Sequence, residues 1–178
     1  TVLDKNIDAS DIASVAVAAR RMDIAFTTGK VWLDGQDVTQ LIRQEHVGNL
    51  ASRLAPAAAV REALLDRQRA CRQSPGLIAD GRDMGTVVFP EADLKVFLIA
   101  DVYARAQRRC QQLRERGVVP DEAAILADLK ERDARDTERA VAPLKPAGDA
   151  YELDSSRLTV EETVAAVMSL WHKCQRRK

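Results

Sequence analysis

The chain has 178 residues, 46% of them hydrophobic and 30% charged, the balance of an ordinary globule and not of a disordered or fibrous chain. Its 27 basic and 27 acidic residues cancel, so no global field draws it to nucleic acid or to an anionic membrane. Cys71, Cys110 and Cys174 are odd in number and share no short spacing, which argues against a disulfide framework or zinc knuckle and fits a reducing cytoplasm.

No run is long and apolar enough for a membrane span, and no signal-peptide pattern opens the chain. The first residue is Thr1, not Met, inside Asp-rich and weakly helical sequence, so an N-terminally incomplete chain is the simplest expectation. Residues 8–19 (DASDIASVAVAA) predict a short helix with Ser10 or Asp11 as its cap. Residues 23–37 then switch to period two. Ile24 and Phe26 alternate with small or polar neighbours, as do Val31 and Leu33, and Thr28-Gly29 and Asp34-Gly35 supply turns. This reads as an antiparallel hairpin or small sheet, an insert relative to the α/β pattern of the later residues.

Residues 60–73 predict an Arg-rich helix stopped by Pro75-Gly76. Residues 77–79 (LIA) read as a short strand running into Asp80-Gly81-Arg82-Asp83, and residues 94–100 (LKVFLIA) as a strand covered on both faces. Asp101 caps the next helix, and Gly117 lies just past its end. Residues 121–139 form another, with acids in its first turn. Tyr151 to Asp154 is a final strand. Thr159-x-x-Glu162 is a capping box opening a helix whose stripe Val160, Val164, Val167 and Trp171 is expected to pack in the core. This alternation predicts a doubly wound parallel sheet with helices on both faces.

Ligands of open parallel sheets bind beyond the carboxyl ends of strands, which brings Asp80 forward. A carboxylate there either positions hydrated magnesium beside a nucleotide phosphate or closes a turn on its own backbone with Gly81. Arg82 and Asp83 are either an exposed pair of small value or a phosphate fork with a neighbouring acceptor for an exocyclic amine. Arg132, Asp136 and Arg139 are spaced i, i+4, i+7 and share one helical face, beside Arg135. Such a face is ordinarily solvated, yet this one runs into an apolar stretch, and guanidinium groups at a helix end could close over polyphosphate. Each charge-assisted bond would contribute on the order of 1.5–3 kcal/mol. His46 and His172 stand alone, no nucleophile–histidine arrangement is visible, and the phosphate loop G-x-x-x-x-G-K-[ST] is absent, Thr28-Gly29-Lys30-Val31 lacking its first glycine and its hydroxyl.

Residues 76–90 (GLIADGRDMGTVVFP) closely resemble the signature of bacterial cytidylate kinases. So do residues 130–146 (KERDARDTERAVAPLKP), the C-terminal YELDSS with the helix after it, and the hairpin ending in LDGQDVTQLIR. The resemblance covers essentially the whole chain and implies a branch of the P-loop nucleoside monophosphate kinases. Its core sheet would carry a monophosphate-binding insert over residues 1–60 and a helical lid near 110–140, within a core of residues 61–178. It implies transfer of a phosphoryl group from ATP, with Mg2+, to CMP or dCMP. Ser52 and Asp83 would meet the cytosine edge, Arg61 and Arg82 the acceptor phosphate, and Asp136 the ribose with Arg139 beside it. Arg132 would stabilise the transferring group, and Asp80 would stand near magnesium through water. The family also implies a first strand and a phosphate loop ahead of Thr1, without which these residues alone are expected to be inactive; the complete enzyme is expected to be a monomer. Two other readings stand beside it: a non-catalytic module binding a nucleotide or a protein, and a kinase acting on AMP or UMP.

Overall fold

The computed structural model describes residues 2–176. The chain up to Ala79, joined by Arg139–Ala142, makes one compact unit; Asp80–Glu138 and the chain from Pro143 onward make a second.

The first unit is built on two helices. Helix α1 (Ile12–Arg21) starts at Asp11, whose carboxylate accepts from Ser14 N at 3.1 Å and Ser14 Oγ at 2.5 Å, satisfying an N–H that has no partner inside the helix. Its buried face carries Val15 and Ala16, which pack with Val60 of a later helix, flanked by Leu54, Ala63 and Leu64. Between them lie strands β1 (Ile24–Thr27), β2 (Lys30–Leu33) and β3 (Gln36–Asp37), antiparallel in the order β1-β2-β3. The register runs from Ile24 opposite Leu33 to Thr27 opposite Lys30. Asp34 and Gly35 both take positive φ, +49° and +78°, which is what an Asp-Gly hairpin turn requires. Helices α2 (Glu45–Leu54) and α3 (Ala58–Ala70) complete the unit. The boundary expected at residue 60 falls inside α3, and Arg67 of that helix donates to the Arg20 carbonyl at the end of α1, at 3.3 Å.

In the second unit, β4 (Val96–Ile99) and β5 (Tyr151–Asp154) form a parallel pair, Val96 opposite Tyr151 through Ile99 opposite Asp154. Helix α4 (Val102–Glu115) is capped by Asp101, which accepts from Tyr103 N at 2.8 Å, and ends before Gly117 at φ +74°. Helix α5 (Glu122–Glu138) packs on α4, where Arg105 grips Asp133 with both terminal nitrogens, at 2.9 and 2.5 Å. Helix α6 (Val160–Gln175) opens on the expected capping box. The protein is therefore α/β, with a parallel pair and a separate antiparallel sheet.

Three expectations are corrected. The strand expected to be covered on both faces leaves Leu98 and Ile99 exposed. Residues 77–79 form no strand, and Ile78 is fully exposed. A strand exists only through a hydrogen-bonded neighbour, and among the described residues none pairs with this segment. The stripe assigned to the core of α6 is also rotated: Val160 and Val164 are exposed, and the half-buried side carries Thr163, Ala166, Val167, Leu170, Trp171 and Cys174. The helix is apolar on two sides, so periodicity alone does not choose between them.

Candidate functional site

The segment 80–88 positions the residues singled out in the second unit. Asp80 and Gly81 are exposed, Arg82 is half-buried and Asp83 is buried. A single π-helical turn, Met84–Val88, comes next. Its N–H groups converge on the Asp83 carbonyl, from Val87 at 2.9 Å, Val88 at 3.2 Å and Thr86 at 3.3 Å. Such turns are rare and are frequently found at functional sites.

From there Arg82 Nε donates to Asp136 Oδ2 at 2.8 Å. Asp136 sits near the end of α5 with its side chain 4% exposed, against 38% for Arg82. Arg132, one turn earlier, brings its Nε to 3.9 Å from the same oxygen, an ion-pair distance beyond hydrogen bonding. A buried carboxylate thus faces two guanidinium groups. Pairing of this kind compensates the desolvation of the carboxylate and fixes Arg82 through one edge of its fork. The Nη1 and Nη2 groups lie outside that bond.

Arg139 departs from the expected arrangement. Helix α5 stops at Glu138, so Arg139 does not share a helical face with Arg132 and Asp136. Its Nε donates to the Ala142 carbonyl at 2.6 Å, in a tight turn where Ala142 takes φ +48° ahead of Pro143. The segment 139–142 belongs to the first unit. In that unit Ser52 is buried on the last turn of α2, and Arg61 of α3 reaches the Ala55 carbonyl just beyond α2, at 3.4 Å. Ser52 and Arg61 therefore lie on either side of the α2–α3 junction.

A model of the family described as cytidylate kinase matches residues 1–173. The chain belongs to the cytidylate kinase family. Among curated relatives, the cytidylate kinase of Bordetella bronchiseptica is 59% identical over 169 residues, covering 95% of this chain and 76% of the relative. That of Ralstonia pickettii is 53% identical over 171 residues, 96% and 74%. That of Azotobacter vinelandii is 50% identical over 169 residues, 92% and 74%. Membership places the chain among nucleotide-binding phosphotransferases.

Sequence reasoning missed three residues that this family member builds around the Arg82–Asp83 segment: Gly85, Lys95 and Asp149. Lys95 Nζ donates to Asp149 at 2.9 and 2.8 Å, across 54 positions of sequence. Only Gly85, in a motif otherwise rich in side chains, offered a signal. The first unit also has an open depression of about 450 Å³ lined by Lys30, Asp37, Thr39 and Gln40. None of the predicted site residues lines it, and its lysine is already neutralised by Asp37 at 3.0 Å.

Among the described residues no group of three His, Cys, Asp or Glu could enclose a metal ion. Asp80 offers one exposed carboxylate. That donor set suits Mg2+ arriving hydrated on nucleotide phosphates, since this ion keeps several waters and needs one or two protein carboxylates. No helix among the described residues is long and apolar enough to cross a membrane.

Proposed function

We propose that this chain supplies the acceptor side of phosphoryl transfer from ATP to CMP or dCMP, giving CDP or dCDP. The observation that carries the reading is the buried Asp136 carboxylate holding Arg82 by Nε, with Arg132 beside it, in a chain of this family. An arginine clamped by one edge presents a planar fork with little remaining freedom, which suits bidentate capture of a phosphate.

On this reading Arg82 and Arg61 hold the acceptor phosphate, and Ser52 and Asp83 meet the cytosine edge. Asp136 meets the ribose as well as orienting Arg82, and Arg139 accompanies it. Arg132 neutralises charge on the transferring group. Residues 1–60 act as the monophosphate-binding insert and residues 110–140 as the lid. Asp80 would hold Mg2+ through water, and the ion would offset charge on the ATP phosphates. The acceptor phosphate is already anionic, so the protein needs no general base, and its contribution is positioning and electrostatics.

A donor loop G-x-x-x-x-G-K-[ST] is not among the 178 residues, so these residues by themselves are expected to bind CMP without turning it over. That same observation is what favours a nucleotide-binding module as the second reading. On this reading the complete protein works as a monomer in the cytoplasm, a reducing compartment that suits three unpaired cysteines. Calorimetric titration with CMP, dCMP, AMP and UMP, and then an assay of ATP-dependent CDP formation, tests the proposal. Binding of CMP and dCMP ahead of AMP and UMP supports it, and no binding of CMP at any concentration sinks it.

A further inference from the structure

The Asp83 carbonyl is unusually well held. Besides the three N–H groups of the π-helical turn, the Thr86 hydroxyl approaches it at 3.4 Å, and the turn itself is closed by Phe89 N on the Met84 carbonyl at 2.7 Å. Any shift of the turn therefore moves Asp83, and with it Arg82 next in the chain. Gly85 is the second residue of this turn. It is not among the residues at positive φ, so its backbone does not call for glycine.

The reason for glycine is space. A Cβ on Gly85 would stand 3.2 Å from Lys95 Cδ and 3.3 Å from Lys95 Cγ, closer than carbon atoms rest comfortably. A lysine stem would ordinarily swing aside, but this one is fixed at both ends. The Lys95 carbonyl accepts from Tyr151 N at 2.9 Å, at the head of the β4–β5 ladder. Its ammonium donates to both oxygens of Asp149, and its own side chain is 9% exposed although Asp149 is 65% exposed. The grip also holds the Asp149 carboxyl below its ordinary value.

We infer that Lys95 is a positioning residue for nucleotide recognition: its stem, locked by Asp149, is the floor on which the Gly85 turn rests, and so fixes where Arg82 and Asp83 stand. The inference rests on the reading that Arg82 and Asp83 receive CMP. It predicts a specific pattern of coupling. Truncating Lys95 to alanine leaves only its Cβ, 3.6 Å from the added atom, which is ordinary contact. A methyl at position 85 is therefore harmful with Lys95 in place and harmless without it.

The test is calorimetric titration of the full chain with CMP, with the melting temperature recorded for each variant. Gly85→Ala is expected to weaken CMP binding about tenfold or more, the equivalent of one misaligned charge-assisted bond. The same substitution made in a Lys95→Ala background is expected to change affinity by less than about twofold. A purely structural ion pair would instead lower the melting temperature of each variant and leave CMP affinity in step with the folded fraction. Equal losses from Gly85→Ala in both backgrounds, or undiminished affinity in the single variant, overturn the inference. If Gly85→Ala fails to fold, Asp149→Asn serves, with amide exchange read on Val87 and Val88. Faster exchange at both supports the locked floor, and unchanged exchange refutes it. That arm needs no nucleotide, so a parent chain that fails to bind CMP sinks the functional reading, while amide exchange still decides whether Lys95 holds the Gly85 turn.

Discussion

Two charge pairs in this protein use the same chemistry in opposite surroundings. In the second unit Arg82 pairs with Asp136 at 2.8 Å, and the carboxylate is 4% exposed. In the first unit Lys30 pairs with Asp37 at 3.0 Å, with about half of the lysine and a third of the aspartate in solvent. Water screens the second pair and competes for both partners, so breaking it costs little. In the first pair the carboxylate has no such relief, although its arginine is partly solvated. A carboxylate deprived of its guanidinium there would be left buried with its charge poorly compensated. Where a charge is buried, its partner is constrained, and a constrained arginine is the one able to select a ligand.

The contrast is broken most directly at Arg82. Arg82→Met removes the 2.8 Å guanidinium partner of Asp136, while Arg132 stays at 3.9 Å from the same oxygen. The expected loss is about 3 kcal/mol of stability, at the low end for a broken buried pair because Arg82 is itself partly solvated. CMP affinity should fall with it. Urea titration of the full chain measures the first effect, and a value near zero would place Asp136 in water. Arg82→Lys sharpens the point. It keeps the charge near Asp136 but has no second edge for a phosphate, so most of the stability is expected to survive. The Kd for CMP should nevertheless rise about tenfold or more. If both variants lose affinity only in proportion to stability, Arg82 is structural.

How much of this is legible in the sequence depends on whether the cause lies nearby in the chain. The Asp11 and Asp101 caps, the Asp34-Gly35 turn and the Thr159–Glu162 box are local matters, and local residue patterns place each within a residue or two. The i, i+4 relation of Arg132 and Asp136 is equally local. The strand expected at residues 77–79 is not, because a strand depends on a neighbour that its own residues do not specify. The face of α6 depends on what packs against it. The latch between Lys95 and Asp149 joins residues 54 positions apart, and no pattern in either stretch announces it. Arg139 departs from expectation because the helical spacing does not extend past Glu138.

The exposed pair gives the smaller predictions. Lys30→Met should leave the melting temperature within about 2 °C of the parent, since a screened surface pair contributes little. Asp37 has a subtler signature, because its partners are not limited to Lys30. Its carboxylate accepts from the Thr39 hydroxyl at 2.6 Å and from Thr39 N at 3.0 Å. Chiefly through that hydroxyl, then the Thr39 N–H and Lys30, the pKa is drawn from 3.8 to about 2. Unfolding restores the higher value, so between roughly pH 4 and pH 2 the unfolded chain binds a proton that the folded chain does not. The contribution is complete above that window and disappears as pH falls through it. Trp32 lies opposite Asp37 in the sheet and reports on this hairpin. In a Trp171→Phe background, urea titrations read at Trp32 should show Asp37→Asn less stable than the parent at pH 6, with the gap closing toward pH 2. A gap that stays constant across that range would mean that hydrogen-bond geometry, and not the charge on Asp37, holds the turn.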